Sequence, residues 1–278
     1  REKFITSAAT NKKIRRRVAE KVWDFIEPFA RYGFNRAHAA CYAMIAYQTA
    51  YLKANFPAEF MAALLTSDEG NTDRQAIEVA EALSLGLKVL PPDVNESRES
   101  FTAEDDATIR FGLAAIKNVG SNATTAMIAE RERGGRYKDL SDLFQRLAAS
   151  DLNKKTVESL AKAGALDGLA ERNAILTNLE TLLAFSRAMH KQVDAGQKNL
   201  FAGSTGSLPP GTVRMAAAEP ATKQERLLWE KELLGLYVSE HPFSEFQSLL
   251  RDVVTPIGEL SHSGGAQRLR IAGIVVQI

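Results

Sequence analysis

The chain has 278 residues, 45% of them apolar, with 35 Lys and Arg against 34 Asp and Glu. That is enough for two or three small domains with real cores, and the near-zero net charge leaves any nucleic-acid binding to local patches. The single cysteine excludes an intramolecular disulfide framework and a cysteine-rich zinc site and suits a reducing cytoplasm. No run of about 18 apolar residues suggests a membrane span, and the basic, polar start is not a signal peptide. The sequence opens at Arg1 without Met and reads as a fragment.

Residues 12–17 (KKIRRR) are the densest basic run. They lead into Val18, Val22, Phe25, Ile26 and Phe29, an amphipathic helix interrupted by Pro28. The run reads either as a phosphate-facing helix start or as a solvated face. Over 32–60, Ala39, Tyr42, Ala43, Ala46, Tyr47, Ala50, Tyr51 and Ala54 recur at three- and four-residue intervals, which predicts one buried helical stripe. Its alanines predict close approach of a neighbouring backbone. Gly33 breaks any helix before it, Asn35 is a good N-cap, and Pro57 ends this helix and opens another over 58–65. The capped start presents Asn35, Arg36 and His38 at the positive end of a helix dipole, a cluster that would attract phosphate. The plainer alternative is a packed core helix with a polar cap.

A helix is expected over 71–85, capped by Asn71 or Thr72 and stopped by Gly86. Two prolines make 87–95 extended. Residues 100–103 and 108–111 flank the acidic turn Glu104-Asp105-Asp106-Ala107 and predict a short β-hairpin, whose carboxylates are turn formers rather than metal ligands. A short helix over 113–117, a tight turn at Asn118-Val119-Gly120 and a second helix from Asn122 then make a helix-hairpin-helix unit. Gly120 is expected to permit the turn and to bare backbone N–H groups that hold a DNA phosphate without reading its base. Asn118 stands where such hairpins usually carry a first glycine, and asparagine tolerates left-handed backbone. Residues 153–169 repeat the arrangement with Gly164 in the turn. Each unit reads as a DNA-binding element or as a structural helical hairpin. The cluster Lys154, Lys155 and Lys162 favours the second for DNA, against Lys117 and, farther on, Arg131, Arg133 and Arg136 beside the first.

A third helical segment is expected over 172–189. Residues 191–222 are rich in Ala, Gly, Ser, Thr and Pro and predict a flexible linker. Within it, Leu200 and Phe201 are adjacent large apolar residues with no core to join. They read as an anchor for a partner's pocket, with Gln197 setting register. A charged helix over 223–236 follows, and 268–278 alternates like a strand entering a β-rich module.

The run YGFNRAHAACYAMIAYQTAYLKANFPAEFMAALL closely resembles the fingers region of the bacterial DNA polymerase III alpha subunit family, the C-family replicative polymerases. Arg36 replaces the usual lysine, Ala37 a serine and Cys41 an alanine; arginine keeps the charge for phosphate contact. Weaker similarity continues to the end of the chain: the two hairpins resemble the family's tandem helix-hairpin-helix domain. Gln197-x-x-Leu200-Phe201 resembles its sliding-clamp-binding peptide, and the last strand resembles the start of its OB-fold. The resemblance implies a mainly α chain with the rear of the fingers over 1–99, the hairpin domain over 100–190, the linker over 191–222, and a connecting helix and truncated OB-fold over 223–278. A lone strand cannot close a barrel, so that end is expected to fray or aggregate.

The same resemblance implies template-directed DNA synthesis on a primer–template duplex from deoxynucleoside triphosphates, in a cytoplasmic, nucleoid-associated holoenzyme with other subunits and a sliding clamp. Asn35, Arg36 and His38 would face the nucleotide. Lys117, Asn118, Gly120, Lys154, Lys155, Lys162 and Gly164 would face DNA. No segment resembles the palm's aspartate motif, so Mg2+ is expected on palm carboxylates outside this chain. The isolated chain is then expected to bind no cofactor and to be inactive in synthesis. The alternative is a non-catalytic hairpin and clamp-binding adaptor; a metabolic nucleotide enzyme would need a loop such as GxxxxGKS or GxxxxGKT, which is absent.

Overall fold

A computed structural model describes residues 1–32, 35–148, 150–194, 211–240, 242–250, 253–255 and 270–273. It divides into two units, Arg1–Asn55 and Phe56–Ile278. The clamp-like peptide at Gln197, Leu200 and Phe201 and most of the final strand-like segment lie outside the described residues.

In the first unit, α1 (Glu2–Lys12) folds back on α2 (Arg16–Tyr32) through a turn in which Lys13 is left-handed, with φ 54°. Ile5 and Ala19 are its buried contacts, and Phe4 and Trp23 meet with ring centroids 5.5 Å apart. The basic run is therefore a turn and a helix start, and Arg16 is paired with Glu2 at 2.7 Å and Glu20 at 3.0 Å. Pro28 sits inside α2 rather than ending it. One proline removes one backbone hydrogen bond, and the turns on both sides of it remain helical.

The helix α3 (Arg36–Asn55) forms where expected, but none of its residues is buried. Tyr42 is 61% and Tyr47 67% exposed. The expected buried stripe is thus overturned. Ala37, Ala39, Ala40, Ala43, Ala46, Ala50 and Ala54 lie all round the helix, and alanine stabilises a helix by propensity without needing burial.

In the second unit, α4 (Pro57–Ser67) buries Ala58, Met61, Ala62 and Leu65, and α5 (Thr72–Ser84) packs beside it. Asn71 caps α5, its side chain accepting from Arg74 N at 3.3 Å. Three short strands follow: β1 (Lys88–Leu90), β2 (Thr102–Asp105) and β3 (Thr108–Arg110). The expected hairpin is β2–β3, antiparallel with a bulge, and Asp105 Oδ1 accepts from Ala107 N at 2.8 Å in its turn. That bond holds the Asp105 carboxyl below its ordinary value. The extended segment after α5 supplies β1, parallel to β3 with Val89 opposite Ile109. α4 covers this sheet, and Phe101 and Phe111 meet below it with centroids 4.5 Å apart.

The rest of the unit is helical: α6 (Ser121–Gly134), α7 (Leu140–Arg146), α8 (Lys154–Lys162), α9 (Arg172–Thr177), α10 (Leu179–Asp194), α11 (Lys223–Leu234) and α12 (Ser244–Leu250). Leu113, Ile116, Phe144, Leu160, Leu182 and Leu234 join one continuous core with the sheet residues. The third helical segment breaks at Asn178, whose side chain donates to Ala216 O at 2.9 Å and accepts from Ala216 N at 2.7 Å. The described end of the linker is thereby held to the body, as it is where Val213 N donates to Ser141 Oγ. A capping box of Thr222 and Glu225 then starts α11.

Candidate nucleic-acid interface

The first hairpin begins at Gly112, where a Cβ would lie 2.5 Å from the Ser100 carbonyl carbon, so only glycine fits. The expected helix over 113–117 is a series of tight turns instead, with Ile116 N donating to Leu113 O and Val119 N to Ile116 O. Leu113, Ile116 and Val119 point into the core while Lys117, Asn118 and Gly120 remain at the surface. Five residues between a glycine contact and a reversal are too few for a stable helical nucleus.

Asn118, not Gly120, supplies the left-handed residue of the turn, with φ 69°. Its Nδ2 donates to Ser159 Oγ at 3.3 Å, and its carbonyl accepts from Thr156 Oγ1 at 3.4 Å. The first turn is thereby fastened to α8 of the second hairpin. Gly120 is extended, with φ −86° and ψ 157°, and caps α6 without a side chain. A Cβ there would meet nothing within 4 Å. The fold of this chain therefore does not itself require glycine at 120; the bare position leaves the start of a 14-residue helix open to an incoming group.

The cations beyond that turn are largely engaged. Arg131 donates to Val94 O and Ser97 O, Arg133 pairs with Glu130, and Arg136 pairs with Glu96.

In the second hairpin, Asn153 caps α8 by accepting from Thr156 N at 3.0 Å. Lys154 is paired with Glu180 at 2.6 Å, which raises its pKa. Lys162 is paired with Glu158 at 2.6 Å and lies 6.0 Å from the Trp229 ring. Lys155 is exposed, and no ion pair holds it among the described residues. Gly164 is left-handed, with φ 83°, and buried; a Cβ there would collide with Arg172 Nη2. So Gly120 lies open at the surface and Gly164 is closed over by an arginine.

That arginine is the site's organiser, and the sequence reading missed it. Arg172 is 5% exposed. It donates to both Asp167 carboxylate oxygens, to Lys162 O at 2.9 Å and to Glu230 Oε1 at 3.3 Å. Glu230, 2% exposed, also accepts from Val238 N, Ser239 N and Ser239 Oγ. An arginine opening a predicted helix looks like a surface charge in sequence; only the later Glu230 signals its burial, and 58 residues separate the two.

Asn35, Arg36 and His38 belong to the other unit. Asn35 caps α3 as expected, its Oδ1 accepting from Ala37 N at 2.9 Å. Arg36 and His38 are exposed, and the His38 ring lies 4.3 Å from that of Tyr42. Among the described residues no group of three or more His, Cys, Asp or Glu side chains is arranged to hold a metal. Nor is any described helix long and apolar enough to cross a membrane.

Residues 86–176 match the model of the helix-hairpin-helix motif family. Over its whole length the chain is 40% identical to the DNA polymerase III subunit alpha of Thermus aquaticus, covering 22% of that protein. It is 37% identical to that of Neisseria meningitidis serogroup A, again over all of the chain and 24% of the relative. With that of Haemophilus influenzae it shares 40% identity over 92% of the chain and 22% of the relative. The chain thus spans about a fifth of the length of the curated relatives it matches, and it belongs to the DNA polymerase III alpha subunit family.

Proposed function

We propose that the chain forms the duplex-binding part of a replicative DNA-directed DNA polymerase, together with a helix that faces the incoming nucleotide and a peptide that binds the sliding clamp. The observation that carries the proposal is the first hairpin turn, in which left-handed Asn118 and side-chain-free Gly120 leave the start of α6 uncovered. Backbone N–H groups at such a start bind a phosphate regardless of base, as a polymerase moving along any sequence requires. Lys117 and Lys155 are exposed cations on the two hairpins that Asn118 joins through Ser159 and Thr156. The first hairpin is therefore the stronger DNA element, because Lys154 and Lys162 of the second are paired with carboxylates.

For the nucleotide, the support is the capped start of α3 with Arg36 and His38 exposed. For the clamp it is the sequence Gln197-x-x-Leu200-Phe201 alone. Polymerisation needs metal ions that stabilise the attacking and leaving oxygens. The described residues offer no such ligand set, and we assign no step of the chemistry to them. Deoxynucleoside triphosphates and the other holoenzyme subunits are partners of this reading in the intact polymerase. Anisotropy titration of the chain with duplexes of unrelated sequence tests it: similar affinities for all duplexes are expected, and failure to bind any duplex contradicts the proposal.

A further inference from the structure

Beside the first hairpin lies a crevice of about 390 Å³ whose lining includes Gly70, Thr72, Gln75, Lys117, Lys231 and Glu232. Its walls come from the first turn of α5, the loop before α6 and the last turn of α11. Its volume is within the usual range for small-ligand sites. Gln75 is 1% exposed, and its Nε2 has no acceptor among the described residues. Buried amide donors are rarely left in that state.

Two further residues that carry donors, Thr72 and Lys117, line the same space. α5 is a 13-residue helix whose Asn71 cap engages Arg74 N. The backbone N–H of Thr72, a lining residue, has no partner inside the helix, and the positive end of the helix dipole is there. Lys117 is exposed, and no ion pair holds it among the described residues. Lys231 is already committed to Gly235 O at 2.7 Å. Glu232 is the opposing charge in the lining and disfavours highly charged ligands.

We infer that this crevice binds a small oxyanion, a phosphate-bearing ligand no larger than a mononucleotide, through Gln75 Nε2, the start of α5 and Lys117. The crevice shares Lys117 with the duplex reading and is distinguished from it by the cavity and the buried Gln75 amide, which duplex binding at Gly120 does not use. A bound oxyanion would tie the loop carrying Lys117 and Asn118 to α5.

The test titrates the full chain with deoxyadenosine monophosphate and, separately, with inorganic phosphate, by calorimetry and phosphorus NMR. Saturable binding of either is expected. Equal affinities identify a free oxyanion site, and tighter monophosphate binding identifies a nucleotide site. Lys117→Ala and Gln75→Leu should each weaken binding about tenfold, whereas Glu232→Gln should tighten it. Gln75→Leu should melt no earlier than the parent chain, because it removes a buried donor that lacks an acceptor. The inference is overturned if neither probe binds saturably, or if binding is unchanged in Lys117→Ala or in a normally folded Gln75→Leu chain.

Discussion

Arg172→Met is the change that most severely tests how the hairpins are held. The substitution keeps much of the side-chain volume but removes the hydrogen bonds to three partners, Asp167, Lys162 O and Glu230. Asp167 is half exposed and can turn to solvent at little cost. Glu230 is 2% exposed and cannot. Breaking a buried pair by removing one partner costs about 3–5 kcal/mol, because the remaining charge is uncompensated. Glu230 keeps its three bonds from Val238 and Ser239, so about 3 kcal/mol is expected. Losing the bond to Lys162 O adds about 1 kcal/mol. The total is therefore about 4 kcal/mol, a large part of a typical domain's stability. Urea unfolding should show a lower midpoint with an unchanged slope. Arg172→Met combined with Glu230→Gln should cost less than the sum of the single changes, since no buried charge is left. A loss below about 1 kcal/mol, or strict additivity, would refute the reasoning.

Burial, and then the neighbouring Asp68, push the Glu78 carboxyl up to about 7. Its folded value lies above its unfolded one, so ionisation destabilises the fold as pH rises through this window, and the penalty is absent below about 4.5. Glu78→Gln should thus raise the melting temperature more at about pH 8 than at about pH 5, and equal gains at both would rule this out. Asn118→Ala should cost about 1–2 kcal/mol in thermal or urea unfolding because of its left-handed backbone, and Asn118→Gly clearly less; equal losses would mean that the Ser159 bond matters more than the backbone. Leu200→Ala with Phe201→Ala should abolish clamp binding in a plasmon-resonance titration without altering thermal stability, whereas earlier melting would put the pair in the core.

Local signals were legible in the sequence and long-range ones were not. Asn35, Asn71 and Asn153 all cap the helices they precede, because a cap depends on residues two or three positions away. The β2–β3 hairpin was readable from its acidic turn for the same reason. Asn118, a residue that tolerates left-handed backbone, takes the left-handed position of the turn, whereas Gly120 is extended and does not supply the special backbone angle expected of it. The alanine spacing of α3 fixed a helix without fixing what surrounds it. Arg172, Glu230 and Asn178 went unnoticed since their partners are distant in sequence or are backbone atoms of the following segment.

The salt dependence of duplex affinity tests the central claim most directly. The chain, Lys117→Ala, Lys155→Ala and the double variant should be titrated with one duplex across a range of salt concentrations. Each lysine lost from a phosphate contact should lower the slope of log affinity against log salt by about one unit, and the double variant by about two. Removing Lys154 or Lys162, both held by carboxylates, should change the slope less. An unchanged slope in the double variant would mean that both lysines are only solvated surface, and that the paired hairpins do not grip DNA through the face proposed.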